Sequence, residues 1–438
     1  MILLLTVIMF AFLLRLIYWR LRTLNAPITY FLVWWMVWII VSQFNVFELF
    51  SVSPETYALI LVKVFMVSFG YLLVCRTGGR QQFLKPIVLN SQTNIIVQLI
   101  LSMVLLLFLS RYGALIEQIP ISEIRMATFQ IGMLLRTGLE AAFFNYIVST
   151  LVYFFLLLFV CQYLTTRRFG IPALLSLVNG VMFGLIGYGR FVYFDTAVFL
   201  AIGALLTAGP IGYGLHKMGI KAGHGRFKRF VVYSVLFFGI LIAMGYSTAQ
   251  RMGSSDLVLG LSVTFEHFVV YFLGPFRALD TYLHTFSQDI YFLMGRATFG
   301  GIDELIFNAL NFLGGDTIPL NFIIGPITQD PIIIRHGEIP WFNAFYTNIM
   351  NFHLDFGVVG VVLFALMYGM VIAASYNLFR REPSGYTLML VVFLTHSAIV
   401  SQLRWPFQAP GNWILLILIG IAIVRHQRKM RRKAFVGT

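Results

Sequence analysis

Apolar residues fall into eleven runs, at roughly 1–18, 28–47, 55–75, 94–112, 142–164, 172–188, 191–208, 230–249, 350–376, 386–403 and 411–424. At 1.5 Å rise per residue, most are long enough to cross about 30 Å of hydrocarbon as helices. The sixth and seventh are short and nearly contiguous, which predicts a tight helical hairpin. One region breaks the apolar pattern as the chain re-enters the membrane: IIIRHGEIPWFNAFYTNIMNFHLDFGVVG, Ile332 to Gly360. Asn343, Thr347, Asn351 and Asp355 recur there at four-residue intervals, so a helix would carry them as one ridge. Lipid does not accept such a ridge, and two partners remain open: a water-filled cavity, or another helix reached by hydrogen bonds.

The runs divide the chain into an N-terminal bundle of about eight spans (1–249), a long loop (250–342), three C-terminal spans (343–424) and a basic tail (425–438). A loop of that length is usually functional or folded. Its stretch SVTFEHFVVYFLGPFRALDTYLHTF (Ser262 to Phe286) mixes aromatics with charge, as expected of helices lying in the membrane interface. Gly295, Gly300, Gly301, Gly314 and Gly315 follow, then the proline-bounded PIIIRHGEIP. The loop is expected to form a partly helical cap. The fold class is therefore an all-α polytopic membrane protein of about eleven spans.

Composition agrees: 59% of the 438 residues are hydrophobic and mean hydropathy is +0.86, against about 45–50% apolar content in soluble domains. The net charge of +14 gains meaning from its placement. With the N-terminus outside, 21 of the 31 basic residues fall in cytoplasmic segments, so the positive-inside rule selects N-out and C-in. The same placement removes nucleic acid as a partner and leaves membrane lipid. The first run has its basic flank after the apolar stretch and no small-residue cleavage site, so it is expected to stay as a span. Cys75 and Cys161 both lie near expected cytoplasmic ends, which leaves no external disulfide or zinc cluster.

Ten basic residues remain: Lys63, inside the third span, and nine arginines, Arg111, Arg125, Arg136, Arg190, Arg251, Arg277, Arg296, Arg335 and Arg404. Guanidinium matches phosphate or carboxylate as a planar fork, whereas lysine is a point charge. Arginine without loop lysine points to an anion site, the alternative being local acid partners or headgroups. Arg190 lies in LIGYGRFVYFDTAVFL at the hairpin turn, where it either faces a polar site or pairs with Asp195. The long loop contributes Arg277, Arg296, Arg335, His336 and Glu338; the last loop, QLRWPFQAPGNW, contributes Arg404. Together with Asn343, Tyr346, Thr347, Asn351 and Asp355 these can converge on one outer cavity suited to a hydroxyl-rich, phosphate-bearing ligand. The chain has no GxxxxGK[ST], HExxH, GxSxG or CxxC, and no motif requires a metal or cofactor.

The GYGR turn at Gly187–Arg190, the long loop with GRATFGGI (Gly295 to Ile302) and the following NAFYTNIMNFHLDFGVVG resemble the Wzy-type O-antigen or oligosaccharide repeat unit polymerases. That resemblance implies a GT-C-like membrane fold in the bacterial inner membrane. It also implies transfer of a growing glycan from undecaprenyl diphosphate to the non-reducing end of an undecaprenyl-diphosphate-linked repeat unit on the periplasmic face. Expected partners are lipid-linked donor and acceptor, a chain-length-determining co-polymerase and a flippase. Within it, Arg190, Arg277 and Arg404 would hold the diphosphate, with Arg296 and Arg335 in reserve. Glu338, His336 or Asp355 would be the base. An O-antigen ligase and a lipid-linked oligosaccharide flippase are the rival readings. Arg190→Lys is expected to abolish most turnover while the protein stays in the membrane. Unchanged activity at equal expression would remove Arg190 from the site.

Overall fold

The computed structural model describes residues 2–436 apart from 45, 77–86, 88–90, 120–131, 167, 187–190, 209–238, 240, 241, 243, 247, 250, 251, 287–291, 321, 322, 325–331, 336–340 and 343–345. The principal helices are α1 (Ile2–Leu21), α2 (Pro27–Ser42), α3 (Pro54–Val74), α4 (Ser91–Ile116), α5 (Gly138–Thr166), α6 (Ile171–Leu185), α7 (Phe191–Ala208), α8 (Leu257–Thr281), α9 (Gly300–Phe312), α10 (Asn348–Arg381), α11 (Gly385–Val400) and α12 (Pro410–Val436). A two-residue antiparallel pair, β1 (Ile332–Ile333) with β2 (Trp341–Phe342), is the one sheet among the described residues. Eight of these helices are long and apolar enough to cross a membrane, and α2, α6 and α11 are shorter apolar helices. The architecture is that of an all-α polytopic membrane protein. The expected span at 230–249 lies largely outside the described residues.

The chain packs as two compact units. The first comprises Met1–Arg80, Glu266–Arg381 and Leu394–Trp413, and the second Gln81–Phe265, Glu382–Phe393 and Ile414–Thr438. In the second, α4 and α6 are joined by side-chain hydrogen bonds, Ser102 to Asn179 at 2.7 Å and Ser176 to Gln98 at 3.0 Å. Tyr153 donates to the buried Asp195 at 3.0 Å. Polar groups in spans are satisfied by one another here, as an apolar solvent demands.

The first unit is built on α3 against the C-terminal part of α10, running parallel. Gly70 meets the Leu366 carbonyl, and Gly369 meets that of Val67, so closely that an added Cβ would stand 2.1 and 2.0 Å from the oxygen. Small residues let two backbones approach in this way, and dispersion between them supplies the attraction that water cannot supply in lipid.

One expectation changes here. The segment read as interfacial, 262–286, belongs to α8 and its continuation, and Leu257–Thr285 meets the length and apolarity of a span. Within the first unit, Glu266 pairs with Arg335, which bridges to Leu49, while Asp280 accepts from Ser53 and Thr56. Those two acids, about 21 Å apart on a straight helix, are tied to the same α2–α3 connector. Between them the stretch packs on α2 as well, its Phe272 ring 4.6 Å from Trp38 and 5.0 Å from Trp34 and its Phe276 ring 6.0 Å from Trp35. Pro275 lies inside it, and the carbonyls of Phe272 and Leu273 in the preceding turn accept from Gln402 Nε2 and Arg277 Nη1.

Gly369→Val should push α3 and α10 apart at a cost of about 1–3 kcal/mol or more, read as lost monodisperse protein on size exclusion in detergent. Gly113→Ala, in open space, should leave the profile unchanged.

Candidate functional site

The site grows from a chain reversal inside α10. Phe356 (φ −148°, ψ 26°) and Gly357 (φ 61°, ψ −145°) leave helical geometry, and the second combination is open essentially to glycine alone. Beyond it the chain folds back on itself. A Cβ on Gly360 would lie 2.1 Å from the carbonyl oxygen of Phe352, eight residues earlier, and the Phe352 and Phe364 rings stand 5.7 Å apart. On an unbroken helix these pairs would be separated by about 12 and 18 Å along the axis. Residues 348–355 are thus a short arm packed antiparallel against the start of the long arm, 358–381.

The reversal decides what the polar ridge faces. Thr347 precedes the helix, and Asn343 lies outside the described residues; Asn351 and Asp355 are the ridge residues on the short arm. Neither faces a water-filled cavity, since both are buried. The Asp355 carboxylate accepts the backbone N–H groups of Ala297 (2.9 Å) and Thr298 (2.7 Å). Asn351 Nδ2 donates to Ala297 O at 3.2 Å. The ridge therefore binds the backbone of GRATFGG, because a folded turn there offers donors that lipid cannot satisfy. Tyr346 stands edge-on to Tyr282, whose hydroxyl lies 3.3 Å from His353 Nδ1.

The last loop closes over the same turn. Trp405 Nε1 donates to Thr298 O at 2.6 Å. Gly300 and Gly301 admit Gln408, Ala409 and Trp413, since a Cβ on Gly301 would meet Ala409 and Trp413 at 2.7 Å. The loop is deep as well, with the Trp405 and Phe407 rings 5.2 and 6.5 Å from that of Tyr368, midway along the long arm. Irregular backbone is tolerated at such depth only where protein or a polar cavity surrounds it. Interrupted helices of this kind are where membrane proteins build polar sites.

The arginines separate into different roles. Arg277 is 3% exposed and donates to three main-chain carbonyls, Phe50 (2.9 Å), Leu273 (3.1 Å) and Ser42 (2.9 Å), so it braces the α2–α3 connector. Arg296 grips Asp303 through two bonds, 2.6 and 3.3 Å, donates to Ile318 O and covers the Phe307 ring. Arg335 pairs with Glu266 at 2.7 Å, both partly exposed. Arg404 is exposed at the rim of the last loop. Arg190, His336 and Glu338 lie outside the described residues.

Lys63 was passed over as an isolated charge in a span. The structure buries it fully, with Nζ 3.2 Å from Ser401 Oγ and 3.4 Å from the centre of the Trp35 ring. Ser401 also accepts from Asn348 N through its carbonyl, at 2.9 Å, which carries the start of the short arm to the level of the tenth residue of α3. A lone lysine amid 59% apolar residues was the one signal in the sequence; its neighbours Trp35 and Ser401 come from two distant segments. No protein-family model matches the chain, and neither the curated proteins nor the solved structures contain a match.

Asp355→Ala would strand two buried N–H donors at about 1–3 kcal/mol each. The expected result is a lower unfolding temperature and faster proteolysis within 295–301 in detergent. A protein as stable as wild type would show that the turn is held elsewhere.

Proposed function

We propose that this chain polymerises lipid-linked oligosaccharide repeat units, moving a growing glycan from undecaprenyl diphosphate onto the non-reducing end of an undecaprenyl-diphosphate-linked unit. The observation that carries the reading is the reversal at Phe356–Gly357. It gathers GRATFGG, the short arm and the last loop in one place, and the first two are segments on which the resemblance rests. In this reading the fold is GT-C-like with about eleven spans. The N-terminus is periplasmic, the C-terminus is cytoplasmic, and the membrane is the bacterial inner membrane.

The transfer breaks the bond between the anomeric carbon and the diphosphate and forms one to an acceptor hydroxyl, whose proton a base removes. Negative charge grows on the departing diphosphate, and guanidinium groups stabilise it best when held before the reaction. In this reading Arg404, exposed beside Trp405, and Arg335, partly exposed beside Glu266, take this role; Arg190 joins them on its sequence position. Arg277 and Arg296 are assigned to positioning, since their donors hold carbonyls and Asp303. Asp355 is likewise a positioning residue, and the base falls to Glu338 or His336.

A lipid-linked oligosaccharide flippase is the second reading, favoured by the buried Lys63 within a span. Deleting the gene in a Gram-negative host and reading the lipopolysaccharide bands separates these. Core carrying one repeat unit supports the polymerase, bare core with polymer left on its carrier indicates a ligase, and bare core without that polymer indicates the flippase. On complementation at equal protein level, Arg404→Ala is expected to cut polymer by roughly a hundredfold. Arg277→Ala should instead lower the amount of folded protein.

A further inference from the structure

We propose that Lys63, Ser401 and Asn348 form a second binding site, inside the first unit, for a singly charged oxyanion of the carboxylate or phosphodiester class. Lys63 has no accessible surface, and its ammonium, with three donors, has one hydrogen bond, to Ser401 Oγ. The rings of Trp35 and Phe31 lie 3.4 and 4.8 Å from it. These attract a cation and supply no counter-charge. Among the described residues no carboxylate lies within 4 Å of it.

Next to Ser401 and Asn348 along the chain lie buried polar atoms that find no hydrogen-bond partner among the described residues. They are Ser397 Oγ, Gln402 Oε1, Thr347 Oγ1 and both amide atoms of Asn348. Ser397 sits one helical turn before Ser401, Gln402 follows it, and Asn348 is bonded to its carbonyl. Native interiors satisfy nearly all such groups, so their clustering about the serine that holds a buried lysine without a counter-charge is where the ligand is assigned. The Ser397 and Thr347 hydroxyls and the Asn348 amide donate to oxygen, while Ser401, whose own hydroxyl donates to Ala398 O, holds the lysine, which supplies a single positive charge. One ammonium balances one negative charge; a diphosphate would leave charge uncompensated in a low-dielectric interior. The ligand therefore differs from the diphosphate assigned to the outer arginines. Lys63, Ser401 and Asn348 have no accessible surface, so ligand entry requires the short arm to move aside, and Phe356–Gly357 is where its backbone leaves helical geometry.

The carboxylate could come from an acidic sugar of the glycan, a source that rests on the function proposed above. The phosphodiester could come from a phospholipid, a source independent of it. Full-length protein in nanodiscs of phosphatidylcholine with added phosphatidylglycerol, followed by native mass spectrometry, reads the phospholipid arm. Thermal unfolding titrated with a glucuronate-bearing oligosaccharide reads the carboxylate arm. Wild type should hold one of the two probes at least tenfold more tightly than Lys63→Met, and which one identifies the source. Equal behaviour of wild type and variant toward both probes overturns the site. Should Lys63→Met fail to fold, Asn348→Asp gives the chamber its own carboxylate. It is expected to raise the unfolding temperature and abolish binding, and retained binding overturns the proposal. Loss of the polymerase reading would leave the phosphatidylglycerol result standing.

Discussion

Hydrocarbon offers a backbone nothing to bond to, and the interior of the first unit follows from how that demand is met. Two N–H groups of the GRATFGG turn go to Asp355, one carbonyl of the same turn to Asn351 and another to Trp405. Each contact joins irregular backbone to a side chain from another part of the chain. Without them neither the turn nor the last loop could lie at the depth of Tyr368, because each unpaired group there would cost several kcal/mol. Acid and amide residues in this region are therefore first of all the solvent of the backbone.

Glycine makes the arrangement possible in two ways. At Gly357 the chain needs a backbone conformation with φ of 61° and ψ of −145°, and the reversal sends residues 348–355 back along the helix they precede. At Gly70, Gly369 and Gly301 it needs space, so that helices and loops approach to backbone contact. The same close packing that holds α3 to α10 sets Lys63 among Trp35, Ser401 and the start of the short arm. A fold principle of membrane bundles, small residues at interfaces, here accompanies a lysine buried against an indole and a serine.

Charge has two tasks in this chain. Most arginines and lysines are expected to mark the cytoplasmic side, and the described outer ones divide between bracing and display: Arg277 and Arg296 hold carbonyls and an aspartate, while Arg404 stands at the surface. That division gives the proposed chemistry fewer cations than composition alone offers, and it leaves Lys63 as a charge that neither bracing nor topology accounts for.

Apolar run length was legible in the sequence because a helix must bury its backbone over a fixed thickness, and α1, α3, α4, α5, α7 and α10 lie where those runs predicted. The polarity of the 343–355 segment was legible too, since polar residues in a span always demand a partner. Which partner was not. Four-residue spacing predicts a ridge on a straight helix, but a single glycine angle turns that helix back, and periodicity carries no record of a reversal. In the same way α8 read as interfacial from composition, while its packing on α2 and the α2–α3 connector depends on Phe272, Phe276 and Asp280 finding partners more than 200 positions away. Lys63 was visible only as an anomaly; the indole and the serine that flank it come from residues 35 and 401, and the start of the short arm reaches that serine from residue 348. Local pattern determines what each segment must bury, whereas long-range packing decides against what, because contacts between distant segments depend on backbone angles and close approaches that no run of neighbouring residues encodes.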